Sequence, residues 1–129
     1  MKDDSIYIDH ILNSINWILD YISGKDRKAF EADLVTQDAV VRQLEVMGEA
    51  TKRVSKELRL KNPDIPWLDM AGMRDVLIHD YIDVDLGVVW KTVSEDIPNL
   101  KALILKLQWS WKPNNPLKPT VTRVTPFAE

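Results

Sequence analysis

A chain of 129 residues is long enough to bury one core and too short to carry a separate substrate domain. Its 45% hydrophobic and 29% charged residues exclude a disordered or membrane-embedded protein, and a formal net charge of −3 excludes the broad basic surface of a general nucleic-acid binder. Cysteine is absent, which removes disulfides, thiolate metal sites and thiol nucleophiles together and suits a reducing cytoplasm.

The apolar run Ile6 to Ile22 is interrupted by Asp9, His10, Asn13, Asn16 and Asp20, a pattern of neither a signal peptide nor a membrane span. Ile8, Ile11, Leu12, Ile15, Ile18, Leu19 and Ile22 fall at three- and four-residue steps and predict a helix from about Ser5 to Ser23, stopped by Gly24. Asp26 is positioned to cap a short helical turn through Phe30. Thr36 and Asp38 supply a capping oxygen and first-turn charge to a second long helix reaching roughly Leu60, with Val40, Leu44, Met47, Val54 and Leu58 inward. Asn62-Pro63 and Ile65-Pro66 end it, because a residue before proline is pushed out of the α region.

A third helix is predicted from near Trp67, with Met70, Met73 and Leu77 as its inner stripe. The last opens near Asp85 and carries Leu86, Val89, Val93, Leu100, Leu103 and Leu107, with a bend at Pro98. After Trp111, prolines alternate with Asn, Thr and Lys, which favours extended chain: either a disordered end or an arm that wraps a partner. The expected fold class is all-α, an antiparallel bundle of four to five helices over residues 1–111, followed by a Pro-rich tail over 112–129.

Two histidines provide too few ligands for an ordinary zinc site, and no serine or cysteine hydrolase signature occurs, so neither metal nor cofactor is expected. His10 falls on the outer side of the first helix and is expected to be solvated. Arg74 and His79 are the remaining candidates. Five helical residues turn about 500°, which sets these two positions about 140° apart around the axis. Their convergence requires the reach of a long Arg side chain, a helix that stops by His79, or a second subunit. Asp75 stands four residues before His79, where a carboxylate can orient an imidazole, and Tyr81 falls on the side of Arg74. Glu45 and Glu49, with Arg42 and Arg53 in reach, read as surface ion pairs or as a polar seam between subunits.

The segments Gln37 to Ala50, Ile65-Pro66-Trp67, Gly72-Met73-Arg74-Asp75, His79-Asp80-Tyr81 and Asp83-Val84-Asp85, in this order and spacing, resemble the HepT branch of the HEPN superfamily. The resemblance covers about Ile8 to Leu107. It implies a metal-independent endoribonuclease toxin of a toxin–antitoxin system, active as a homodimer on RNA. Arg74 and His79 correspond to its catalytic pair. Tyr81 corresponds to a tyrosine that accepts AMP from a MntA-like nucleotidyltransferase antitoxin. With neither a signal peptide nor a membrane span in its N-terminal run, the protein is expected in the cytoplasm, with no membrane and no DNA partner.

Two positions depart from the pattern: Asp80 replaces a frequent glycine and Asp75 a frequent asparagine. From Asp64 to Asp96 there are eight acidic residues against Arg74 and Lys91, a field that opposes RNA. The alternative expectation is therefore a non-catalytic helical module that docks a nucleotide or the nucleotidyltransferase.

Overall fold

The computed structural model describes residues 2–79 and 85–111, with residues 2, 3 and 74–79 described in backbone only. The expectations placed on Asp80, Tyr81 and the tail 112–129 lie outside the described residues. Four long rods carry the fold: α1 (Lys2–Ile22), α3 (Leu34–Arg53), α5 (Trp67–His79), and a composite rod of α6 (Leu86–Lys91), a π turn (Thr92–Asp96) and α7 (Ile97–Ser110). Two short helices, α2 (Arg27–Glu31) and α4 (Lys56–Lys61), make the corners. No strand occurs among the described residues, so the chain is all-α as expected. No described helix is long and apolar enough to cross a membrane.

The core is the intersection of the helical stripes. Ile8, Ile11, Ile15 and Ile18 of α1 lie fully buried against Val40, Leu44 and Met47 of α3, and Val93, Leu100, Ile104 and Leu107 close the third side. Gly24 follows the end of α1 at φ +75°, a conformation that costs glycine little because it has no Cβ. Asp26 caps α2 by accepting from the Ala29 N–H at 2.8 Å, as its position predicts.

The α3 boundaries differ from expectation at both ends. Its cap is Asp33, not Thr36: the carboxylate accepts from the Thr36 N–H (3.1 Å) and hydroxyl (2.6 Å), so Thr36 supports the cap from inside the first turn. At the other end the helix stops at Arg53 instead of running to Leu60. Val54 and Ser55 are extended, and Ser55 caps a new helix by accepting from the Leu58 N–H. Buried Asp4, at the start of α1, accepts from both the Ser55 N–H (2.8 Å) and hydroxyl (2.6 Å). Arg59 donates twice to the Val54 carbonyl, satisfying a group that the break leaves without a helical donor.

Pro98 falls in the first turn of α7, where its missing N–H costs least. The helix is not broken at Pro98 itself; the irregularity lies upstream as the π turn, in which the Ile97 N–H donates to the Thr92 carbonyl five residues back. The Thr92 and Ser94 hydroxyls donate to the carbonyls of Val88 and Trp90, adding acceptor satisfaction where the ladder changes step.

Candidate active-site helix and the charged groove

The motif helix is anchored at its beginning. Pro66 forces an extended approach, Ile65 and Trp67 are buried, and the Trp67 indole N–H donates to the Asn62 carbonyl at 2.9 Å. Met70, one turn on, is 2% exposed. From these anchors α5 runs along α3 without interruption to His79. Arg74, Asp75 and His79 therefore occupy its last two turns.

Of the routes by which Arg74 and His79 were expected to meet, the backbone bears only on the one that needs a break in the helix. The helix includes both residues, so the break does not fall between them, and their positions remain about 140° apart around the axis. The side chains of Arg74, Asp75 and His79 lie outside the description, as does all of Tyr81.

A cleft of about 260 Å³ opens between α5 and α7, floored by Met70, Met73, Ile97, Leu100 and Leu103. Asp69 and Asp96 stand on its rim, so this apolar slot beside the motif helix is not a phosphate cradle. Met73 is partly buried here, so the inner stripe of α5 narrows before Arg74. Among the described residues no group of three or more His, Asp or Glu side chains stands close enough to hold a metal ion.

A second concavity, of about 410 Å³, runs along the outer face of α1 and α3. It is walled by Tyr7 and His10 from α1 and by Arg42, Glu45, Glu49 and Arg53 from α3. His10 is exposed, as its place in the helical period predicts, and stands nearly perpendicular to the Tyr7 ring with centroids 6.2 Å apart. The ion pair described for this stripe joins Glu49 to Lys52 at 3.7 Å. The α3 charges were visible in the sequence as one helical stripe. Their conjunction with Tyr7 and His10 was not, because it depends on how α1 crosses α3.

Residues 11–107 match the ribonuclease HepT-like family. A Methanocaldococcus jannaschii protein described as a gamma-glutamylcyclotransferase and candidate RNase is 47% identical over 106 residues, covering 82% of this chain and 48% of that protein. The chain thus spans about half the length of that relative. A probable ribonuclease HepT of Thermococcus cleftensis is 44% identical over 102 residues, 79% of this chain and 93% of the relative. A candidate RNase of Caldanaerobacter subterraneus is 37% identical over 107 residues, 83% and 96% of the two chains. No solved structure matches the chain.

Proposed function

Because the chain belongs to the HepT-like ribonuclease family, we propose that it is a metal-independent endoribonuclease, the toxin of a toxin–antitoxin pair acting in the cytoplasm. The observation that carries this reading is the anchored helix α5, whose buried Trp67 and Met70 hold a continuous rod with Arg74 and His79 in its last two turns. Firm support of this kind is what phosphate chemistry requires, since a small misplacement of a catalytic group costs orders of magnitude in rate.

In the proposed reaction the 2′-oxygen of RNA attacks the adjacent phosphorus while its proton passes to one His79 imidazole. The bond from phosphorus to the 5′-oxygen breaks, and that oxygen takes a proton from His79 of the partner subunit. Arg74 neutralises the charge growing on the phosphoryl oxygens. One imidazole per chain does one of these jobs, so a two-fold homodimer supplies both acid and base. It also supplies a reason for a motif whose two positions diverge around one helix. Asp75, four residues before His79, orients the ring.

Tyr81 is the proposed site of control. Its hydroxyl oxygen attacks the α-phosphorus of ATP held by a MntA-like nucleotidyltransferase, pyrophosphate leaves, and the AMP group remains two residues from His79. The added phosphate charge competes for Arg74 and blocks RNA entry. Growth arrest on expression, abolished by His79→Ala in a folded protein, tests the toxin; arrest that persists in the variant overturns it. Intact-mass measurement after co-expression with the transferase tests the acceptor, with adduct loss expected in Tyr81→Phe.

The acidic balance between Asp64 and Asp96 favours a second reading, a helical module that docks the nucleotidyltransferase or a nucleotide without cutting RNA. RNA cleavage by the purified wild-type protein, lost in His79→Ala, decides against it.

A further inference from the structure

The groove on α1 and α3 belongs to a longer ordered face. On α1, Tyr7, His10, Trp17 and Tyr21 fall within an arc of about 80° and form one surface stripe. Trp17 is 53% exposed and stacks on Tyr21 with centroids 6.1 Å apart and planes 22° from parallel. An exposed tryptophan presenting its other face is costly in water and is a platform for a second planar group.

The register of the two helices turns this stripe into a repeated arrangement. Asp4, at the start of α1, bonds Ser55, just beyond the end of α3, so the helices run antiparallel with those positions level. Counting inward, Tyr7 falls level with the turn that holds Arg53, and Trp17 level with Arg42. At 1.5 Å per residue, the two levels, each with one aromatic residue on α1 and one arginine on α3, lie about 15 Å apart along the helices. Glu45 and Glu49 stand between them in the groove.

We propose that this face binds a short single-stranded RNA. The spacing corresponds to roughly four to five stacked nucleotides at about 3.4 Å each. Bases stack on Tyr7 and Trp17, and Arg53 and Arg42 take phosphates at the two ends. The intervening carboxylates accept hydrogen bonds from ribose 2′-hydroxyls, which DNA lacks, so DNA meets the same groove with like charge and no compensation. Paired bases do not present their faces to the rings, which selects single strands. RNA as the ligand rests on the nuclease reading above; the arrangement of rings and guanidinium groups does not.

The test is fluorescence anisotropy with a labelled single-stranded RNA octamer and full-length His79→Ala protein at low salt, so that binding is measured without cutting. Trp17→Ala and the double variant Arg42→Ala/Arg53→Ala, each in that background, are expected to weaken RNA binding at least tenfold. DNA of the same sequence is expected to bind at least tenfold more weakly than RNA, with the gap narrowing in Glu45→Gln/Glu49→Gln. Unchanged affinity in the Trp17 and arginine variants, or equal affinity for DNA, overturns the proposal. Loss of a dimer in sedimentation on Trp17→Ala also overturns it and assigns the face to a second copy. Wild-type protein that binds RNA at this face but does not cleave it removes the nuclease reading and leaves the site. Cleavage with the same KM in the face variants does the reverse.

Discussion

α1 and α5 both pack on α3, but they do so in opposite styles. α1 presents one stripe of isoleucines, Ile8 to Ile18, fully buried along about three turns, and its start is tied to the far end of α3 through Asp4. α5 buries Trp67 and Met70 near its start and leaves Leu68, next to Trp67, 83% exposed. Among its described side chains, large apolar residues therefore stand on both the buried and the exposed sides of the rod. The described buried side chains of α5 lie in its first turns, whereas those of α1 are distributed along the helix. The difference predicts that stability and activity separate along the chain.

The largest expected effect is on catalysis. Arg74→Ala and His79→Ala should each lower RNA cleavage by about 10²–10⁴-fold, in line with the loss of a positioned acid–base or charge-stabilising group, while the urea midpoint stays near wild type. A large drop in that midpoint would mean that the end of α5 belongs to the core after all.

Next comes the α1 seam. Ile15→Ala should cost about 2–5 kcal/mol by leaving a cavity in close-packed surroundings, with the cleavage rate per folded molecule unchanged. Urea unfolding and active-site titration measure the two quantities. A rate lost faster than folded protein would break the separation. Asp4→Ala should destabilise by about 1–3 kcal/mol, since the Ser55 N–H and hydroxyl lose an acceptor in a part-buried corner. Protection of the α4 amides in hydrogen exchange should fall more than that of α5.

The smallest effect concerns pH. The Thr36 hydroxyl and backbone N–H donate to Asp33, and nearby Lys25 adds attraction, so the Asp33 carboxyl is held below its ordinary range against a smaller opposing effect of burial. A carboxyl depressed by folding contributes stability that is present above its unfolded pKa and disappears as pH falls through the lower folded value. Asp33→Asn should therefore flatten the acid limb of melting temperature against pH. An unchanged acid limb would remove the cap from the account of α3.

Much of this architecture was written in local pattern. The three- and four-residue steps of Ile8 to Ile22 and Val40 to Leu58 identified the buried faces, and Gly24, Asp26 and Asp85 marked helix ends by their own chemistry. The misplaced boundaries were those where two signals competed. Asp33 and Thr36 both offer capping oxygens, and the structure uses them in series. Val54 and Leu58 kept the helical period across Ser55, and the bonds that hold the break come from Asp4, fifty-one residues away.

The candidate site divides along the same line. The sequence by itself determined the all-α class, the core stripes, and the order of Arg74, Asp75, His79 and Tyr81, because these depend on periodicity and spacing within one segment. Only the tertiary structure decided that α5 continues through both motif positions, and that Tyr7 and His10 share a groove with Arg42 and Arg53. The physical reason is common to both: helical period states which residues share a face, but the crossing and register of two helices are settled by packing and by bonds between residues far apart in the chain.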